Sequence, residues 1–333
     1  ILLGWLLTIA AAISLGTWIL RALHLRLEGW EDLLYRFFLG SVGLSLLVFG
    51  LASLGLIYKG VLLGLGIILV GSNYKRWPKL PALRWDLSGL LFIGFGLFYF
   101  THALAPELSP DGMSYHLGLV ARYSREHGFV PFTTNMYAFL SQGLEMLFLF
   151  AYGIGRHSAA ALVHFTFLLS LPALLCIHAG RIGWLAGLFV FLLPVTGIDG
   201  ISAYNDVALA VIGFAVFHAM HRFRETGEKA WLSVAALLVG FAFAIKFTGA
   251  VFAIFLLPSL SWLRFVSVAP RWAFALVSVL PWLTKNYLGS GNPLAPFYNS
   301  WFENPYFTID FEANYRAFLT NYGVTNAYAV SYT

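Results

Sequence analysis

A chain of 333 residues in which 59% are hydrophobic and 11% are charged does not have the composition of a soluble domain. Its mean hydropathy is +0.78, and repeated apolar runs approach the roughly 20 residues that a helix needs to cross a bilayer. The excess of basic over acidic residues, 20 against 15, reflects anionic lipid and the positive-inside rule in such a protein. Because the sequence has no basic tract or aromatic nucleic-acid motif, no nucleic acid is expected as a partner.

The apolar runs predict an all-α, polytopic helical membrane protein. They are continuous and rich in Leu, Ala, Gly and Phe, which favours helices over alternating strands. About ten transmembrane helices are predicted, at 1–21, 37–57, 59–72, 88–104, 158–178, 183–198, 207–221, 231–246, 249–263 and 272–285. Runs 59–72 and 272–285 are short, so a re-entrant or merged pair stays open as an alternative. The chain starts at Ile1 and is expected to be a piece of a longer protein.

The basic residues predict which loops share one side of the membrane. Seven of the 20 lie in one alternating set of loops: Lys59, Arg122, Arg125, Arg156, Lys246, Lys285 and Arg316. The larger remainder lies in the opposite set, which is therefore expected to be cytoplasmic. Asp111, Asp206, Lys246, Lys285 and Asn286 then emerge together on the outer face, although they are far apart in the sequence.

The first large outer loop, 105–157, is predicted to hold two interfacial helices. Ser109-Pro110-Asp111 has the features of a helix start, since Ser109 can act as N-cap and Pro110 suits the first helical position. The helix that follows, about 111–127, is expected to lie along the interface. A second helix, roughly 140–152, is expected to be half buried, with Glu145 as a structural residue or a carbohydrate contact.

Asp111 has two interpretations. It complements the helix dipole at a helix start, which requires no chemistry. A carboxylate beside a membrane span is costly, however, and usually faces a wet cavity, a partner or a substrate. The 111–127 helix also places Tyr115 and Arg122 on the same stripe as Asp111. A carboxylate, a phenol and a guanidinium there suit an acceptor hydroxyl and a phosphate.

Each of the other outer-face residues also has a structural and a functional interpretation. Asp206 is either a first-turn residue of the seventh span or a second acidic group that binds a metal or positions a sugar. Lys246, between two apolar stretches, either snorkels to the interface or binds a phosphate. Lys285 and Asn286 end a span before a Gly- and Pro-rich turn, and are either part of that turn or a contact for an anionic headgroup. The histidines show no zinc-ligand spacing.

These motifs together resemble bacterial membrane glycosyltransferases of the GT-C fold class, similar to dolichyl-phosphate-mannose mannosyltransferases. The first is Asp111-Gly-Met-Ser-Tyr115-His116-Leu117, after an apolar span and before a Gly128/Pro131 turn. The later ones are Ala203-Tyr204-Asn205-Asp206, Ala244-Ile-Lys246-Phe-Thr-Gly249, and Lys285-Asn286 through Gly291-Asn292-Pro293. The resemblance covers about 88–300. Residues 1–87 are then additional N-terminal helices, and 301–333 is an incomplete outer-face segment.

The resemblance implies transfer of a sugar from a polyprenyl-phosphate carrier to an acceptor at the outer interface, with Asp111 as base or metal ligand. Candidate substrate-binding residues are Tyr115, His116, Arg122, Asp206, Lys246, Lys285 and Asn286. A divalent cation, Mg²⁺ or Mn²⁺, would be held by Asp111 and Asp206. The expected location is the bacterial inner (cytoplasmic) membrane with the active face outward, within a larger membrane complex. Alternatives are a non-catalytic GT-C-like subunit of such a complex and a lipid or solute transporter.

Overall fold

The computed structural model describes residues 1–79, 87–130, 134–259 and 262–322, without the side chains of 258–269. Predicted features at Pro131 and in 323–333 lie outside the described residues. The described part forms helices and no strand, which confirms the all-α class. It divides into two compact units. Unit 1 comprises Ile1–Val130 and Ser141–Val279, and unit 2 comprises Pro131–Leu140 and Leu280–Thr333.

In its described residues, unit 1 holds ten complete α-helices and the first part of an eleventh. They are α1 (Leu2–Ala22), α2 (Gly29–Ser53), α3 (Lys59–Ser72), α4 (Leu87–Ala103), α5 (Leu117–Arg125), α6 (Gly143–Gly155), α7 (His157–Leu192), α8 (Pro194–Ile201), α9 (Asp206–Thr226) and α10 (Ala230–Ile245). A π-helical turn at Gly112–His116 precedes α5, and 3₁₀ helices occur at Tyr74–Arg76 and Phe247–Ser259. Unit 2 contains a 3₁₀ helix (Met136–Phe139), the end of α11 (Trp262–Ser290) and α12 (Ile309–Tyr322).

Four described helices, α1, α2, α7 and α9, are long and apolar enough to cross a membrane by length and composition. Shorter apolar helices accompany them, namely α3, α4, α6, α10 and the 3₁₀ helix that begins at Phe247. The chain is therefore a helical membrane protein. The number of about ten spans and the GT-C-like layout stay predictions.

Two predicted spans, 158–178 and 183–198, are separated in the structure at the predicted place, Ala179 and Gly180. Both fall largely on α7, which runs on to Leu192 and is interrupted by non-helical backbone at Ala179 and Gly180. Gly180 has a φ of +57°, which a residue with a side chain rarely adopts. The segments on either side of the break pack against each other, since a Cβ on Gly187 would lie 2.6 Å from Pro172 Cα. The break is therefore a turn between two helices, as predicted.

Unit 1 is built around α6, and this corrects the expected half-buried interfacial helix at 140–152. Its residues from Gly143 to Ala151 are all buried. It packs against α1, α2, α5, α7 and α10. The apolar residues that suggested one lipid-facing side are enclosed by protein on every side. Only a few polar groups, Glu145 among them, enter this environment.

The charged residues divide between the two ends of the helices. α9 has 21 residues, so Asp206 and the α9 C-terminus are about 30 Å apart. Near that C-terminus, Arg222 Nε lies 3.1 Å from Glu31 Oε1 at the start of α2. Arg36 Nη1 donates to the Arg76 carbonyl at 2.9 Å. Residues that the sequence assigned to one set of loops thus gather at one end, and which end faces the cytoplasm stays a prediction.

Candidate functional site

Glu107 organises the loop between α4 and α5. Its Oε1 accepts hydrogen bonds from Ser109 N (2.9 Å) and Ser109 Oγ (2.6 Å), and its Oε2 accepts one from Ala203 N (2.9 Å). Burial raises the pKa of Glu107, but the hydrogen bonds from Ser109 and Ala203 outweigh it and hold the pKa below its usual range. One carboxylate therefore ties the α4–α5 loop to the segment before α9.

The predicted helix start at Ser109 is confirmed. Gly112 N donates to Ser109 Oγ at 3.1 Å, as expected for an N-cap. A Cβ on Gly112 would lie 2.6 Å from the Glu107 carboxyl carbon and 2.7 Å from Ser109 Oγ, so a larger residue here would displace the Glu107 and Ser109 side chains. The next residues form a π-helical turn, a local widening that occurs often at functional sites. No feature of the sequence indicated this turn.

Asp111 lies at this helix start with an exposed side chain. Within the described residues it forms no hydrogen bond or ion pair. Ser109 performs the capping, so the helix start does not require the Asp111 carboxylate to pair with an N–H group. Its carboxylate is free to accept a proton or a hydroxyl hydrogen bond.

His116 and Glu145 form a buried pair. His116 is 5% exposed and Glu145 is 3% exposed. His116 Nδ1 lies 2.6 Å from Glu145 Oε1, a short contact typical of a charge-assisted hydrogen bond. The His116 ring also contacts the rings of Tyr115 and Tyr204, with centroids 4.4 and 5.6 Å away. The predicted substrate-binding residue His116 is thus held inward by a glutamate of the buried helix α6.

Asn205 extends this pair towards α9 and α10. Its Nδ2 donates to Glu145 Oε1 at 3.3 Å and to the Ile245 carbonyl at 3.4 Å. Glu145 Oε2 and Asn205 Oδ1 are buried acceptors without a partner among the described residues. Buried polar atoms without a partner are uncommon, and they mark a place for an ordered water.

Asp206 and Lys246 meet, as their assignment to one face predicted. Lys246 Nζ donates to Asp206 Oδ1 at 2.7 Å. The Lys246 side chain is 44% exposed and the Asp206 side chain is 60% exposed. Asp206 follows Asn205 directly, and Lys246 follows Ile245, so this exposed ion pair lies beside the buried Glu145–Asn205 contact. Three hydrogen-bonded groups meet the chain at residues 203–206, namely Glu107 at Ala203, Glu145 at Asn205 and Lys246 at Asp206. We call these groups, together with His116 and Asp111, the Asp111 network.

A second histidine fixes the start of α9. His164 is fully buried, its Nδ1 lies 2.9 Å from the Ser202 carbonyl, and Ala208 N donates to its Nε2 at 3.2 Å. Because a carbonyl only accepts and an amide N–H only donates, this geometry defines a neutral imidazole protonated at Nδ1. Asp199 Oδ2 accepts from Val207 N at 2.8 Å and completes the helix start.

Two further predicted site residues lie on the surface of the same unit. Tyr115 is half-buried beside His116, and Arg122 is exposed on α5. Arg122 Nε lies 3.9 Å from Glu126 Oε1, an exposed pair at the far end of that helix. Both side chains lie on the helical segment that Asp111 begins, as predicted.

The remaining two, Lys285 and Asn286, belong to unit 2. Lys285 Nζ donates to the Ala138 carbonyl at 2.6 Å, and Asn286 Nδ2 donates to the Phe139 carbonyl at 2.6 Å. Asn286 is 1% exposed. These contacts support the interpretation of Lys285 and Asn286 as residues that hold the turn of unit 2 in place.

The described residues do not fit a divalent cation. They contain no group of three or more His, Cys, Asp or Glu side chains able to hold a metal ion. Glu107 uses both oxygens for N–H and O–H donors, and Asp206 is engaged by Lys246. Asp111 alone remains, and Mg²⁺ or Mn²⁺ requires more oxygen ligands than one carboxylate supplies.

Sequence reasoning missed three residues, Glu107, Asn205 and His164. Glu107 lies two residues before the N-cap Ser109, and this position was a usable signal. Asn205 and His164 lie beside or within apolar runs, where a polar side chain requires a hydrogen-bond partner. Their partners are distant in the sequence and become visible only after packing.

A family model described as "Domain of unknown function (DUF8201)" matches residues 1–332, so the chain belongs to this family. Neither the curated proteins nor the solved structures contain a match to the chain.

Proposed function

We propose that this member of the DUF8201 family is a membrane glycosyltransferase that moves a sugar from a polyprenyl-phosphate carrier to an acceptor at the outer membrane–water interface. The observation that carries the proposal is the exposed, unpaired Asp111 carboxylate, on a loop that Glu107 ties to Ala203, three residues before Asp206 of the Asp206–Lys246 pair. A catalytic group accelerates a reaction most when the protein holds it in place before the substrate arrives.

In this proposal Asp111 is the general base. The acceptor hydroxyl oxygen attacks the anomeric carbon, and the hydroxyl proton passes to the Asp111 carboxylate. The bond between the anomeric carbon and the phosphate oxygen breaks, and its electron pair leaves with the polyprenyl phosphate. Because this is one displacement, the anomeric configuration inverts.

Lys246 supplies a cation for the leaving phosphate. Its ammonium already contacts Asp206, and both side chains are substantially exposed, so the phosphate can take the ammonium at little desolvation cost. Arg122 and Tyr115, on the helical segment that begins at Asp111, supply further hydrogen-bond donors. His116 is buried and supports the π-helical turn through Glu145, so its role is positioning.

The proposal includes a GT-C-like layout of about ten spans, with 1–87 as additional helices and the Asp111 network facing outward from the bacterial inner membrane. The clustering of Arg36, Arg76 and Arg222 at the end away from Asp206 supports this orientation, because basic residues favour the cytoplasmic side. Polyprenyl-phosphate-linked sugars and lipids are the proposed partners.

The test uses the purified chain in lipid nanodiscs with polyprenyl-phosphate-linked sugars as donors, followed by mass spectrometry of the acceptor. Asp111→Asn is expected to lower transfer by about 10²- to 10⁴-fold, the usual contribution of a general base. Glu228→Gln, which removes an exposed carboxylate between α9 and α10, serves as the control and is expected to keep activity. Full transfer by Asp111→Asn would rule out the assignment.

A non-catalytic subunit of a larger membrane complex is the second candidate. The observation in its favour is that, apart from Asp111, the charged groups of the network are already engaged by other protein groups, as Asp206 is by Lys246 and Glu107 by Ser109. The exposed Ile67 and Ile68 of α3 then offer a place for a partner helix. Photo-crosslinking from Ile67 in native membranes distinguishes the two, since a subunit gives one defined protein adduct and an isolated enzyme gives lipid adducts.

A further inference from the structure

Unit 2 contains a pocket of about 520 Å³ that no predicted site residue lines. This volume lies within the range of about 300–1,000 Å³ found for small-molecule sites. The lining residues all come from one stretch of chain: Asn299, Glu303, Asn304, Pro305, Phe307, Thr308 and Ile309. The pocket is therefore a property of unit 2 by itself.

One wall of the pocket is held by a buried polar network. Asn299 Nδ2 donates to Glu312 Oε2 at 3.1 Å and to the Pro296 carbonyl at 2.7 Å, and Asn299 Oδ1 accepts from Asn292 Nδ2 at 3.2 Å. Arg316 Nη2 donates to Glu312 Oε1 at 2.6 Å. Burial raises the pKa of Glu312, but Arg316 and the backbone N–H of Asn299 outweigh it and keep the pKa below its usual range. The wall is thus formed before a ligand arrives.

The pocket presents three polar groups. Glu303 has an exposed carboxylate that forms no ion pair within the described part of the chain. Thr308 Oγ1 accepts from Phe311 N at 3.1 Å, which leaves its hydroxyl proton to donate. Asn304 Oδ1 accepts from Tyr306 N at 2.9 Å, while its buried Nδ2 has no partner among the described residues. A ligand hydroxyl, directly or through an ordered water, would pair this donor.

The remaining lining is apolar and aromatic. Phe307 is 4% exposed and packs edge-on against Phe139, with centroids 5.2 Å apart. Just outside the lining, Trp301 is 75% exposed and lies 5.4 Å from the ring of Tyr298. Tyr298 has a φ of +60°, a costly conformation for an aromatic residue that occurs preferentially at functional sites. The loop therefore combines hydrogen-bonding groups with apolar faces.

The charge of the region decides the class of ligand. Glu303 and the neighbouring Asp310 are negative, and the nearby Arg316 is engaged by Glu312. A phosphate or another anionic headgroup would be repelled. A neutral sugar fits both the polar and the apolar part of the lining, because its hydroxyls donate to a carboxylate and its ring C–H groups pack on apolar side chains.

We propose that this pocket binds a neutral hexose unit, with Glu303 accepting hydrogen bonds from two sugar hydroxyls and Asn304 donating to a third oxygen. Its assignment as the place where a glycan acceptor docks rests on the proposed function, whereas the binding itself does not. The pocket then adds acceptor recognition to a transferase whose chemistry is located in unit 1.

The test measures binding of methyl α-D-mannopyranoside and N-acetyl-D-glucosamine to the full chain in nanodiscs by saturation-transfer NMR. The wild-type chain is expected to bind at least one probe saturably at millimolar concentration. Glu303→Gln is expected to weaken binding about tenfold, as for the loss of one charge-assisted hydrogen bond. Asn304→Asp keeps an acceptor for Tyr306 N, replaces the unpaired donor by an oxygen and adds one negative charge, so it is expected to weaken binding while the fold persists by circular dichroism.

Asp310→Asn is the matched control, since it removes a nearby carboxylate that does not line the pocket. No saturable binding by the wild-type chain, or equal affinity in the wild type, Glu303→Gln and Asn304→Asp, would overturn the pocket assignment. Sugar binding that Glu303→Gln weakens, in a chain without transfer from any donor, supports the pocket and refutes the proposed function. Transfer that depends on Asp111, in a chain that binds neither sugar, supports the proposed function and refutes the pocket assignment.

Discussion

Gly40→Ala is expected to destabilise unit 1, because α1 and α2 touch through their backbones at this position. A Cβ built on Gly40 overlaps the carbonyl of Ala12 and lies 2.9 Å from Gly16 N. The contact is reciprocal, since a Cβ on Gly16 would overlap the Arg36 carbonyl. Neither obstacle is the flexible end of a side chain. The two helices therefore have to move apart.

The size of the effect follows from the packing that is lost. Overpacking costs about 1–3 kcal/mol, and a gap of about 1 Å forfeits a quarter to a half of the dispersion energy across the interface. Ala12, Leu39 and Leu44 are almost completely buried, so the added methyl group removes little further apolar surface from water. No hydrophobic gain therefore offsets the lost packing. Replacing glycine by alanine stabilises a helix by about 0.5–1 kcal/mol, which offsets part of this loss. We expect a net loss of about 2 kcal/mol.

Gly50→Ala is the matched control in the same helix. A Cβ at Gly50 meets nothing within 4 Å, so only the helix-propensity gain of about 0.5–1 kcal/mol applies. Reversible unfolding of the purified chain in mixed detergent micelles, followed by circular dichroism, compares the two variants with the wild type. Equal unfolding midpoints for Gly40→Ala and Gly50→Ala would refute the close-approach argument. Because Ser45 Oγ donates to the Gly143 carbonyl at 2.7 Å, the Gly40 change should also disturb α6.

Three further predictions concern the Asp111 network. Glu145→Ala leaves buried His116 without its acceptor and Asn205 with only the Ile245 carbonyl, and should cost about 3–5 kcal/mol in the same unfolding experiment; a loss below about 1 kcal/mol would mean that the pair adds nothing. Asp206→Asn and Lys246→Met break an exposed pair and should each change stability by less than about 1 kcal/mol, while lowering transfer if the pair serves the substrate. The lowered pKa of Glu107 stabilises the fold above the pKa of the unfolded chain, and this stabilisation is lost as pH falls through the folded-state pKa. Wild type should therefore lose more stability than Glu107→Gln on acidification from about pH 6 to pH 3; parallel pH curves would contradict this.

Local signals predicted much of the molecule. Continuous apolar runs are enough to indicate a helical membrane protein, because the cost of burying unpaired backbone groups in lipid leaves few alternatives. The helix start at Ser109 was also predictable, since capping depends on residues only a few positions apart. The positive-inside rule placed Asp206 and Lys246 on one face, and the structure shows them 2.7 Å apart.

Packing decided the rest. Hydropathy alone does not distinguish a lipid-facing helix from one enclosed by protein, and for this reason α6 was expected at the interface although it is buried. The contacts of Glu145 with His116 and Asn205 bridge 29 and 60 positions of sequence, so neither was visible as a motif. Sequence by itself determined which residues are apolar, which begin a helix and which loops share a side. Tertiary structure alone decided which polar groups pair, because buried hydrogen bonds require partners whose distance depends on how the helices pack.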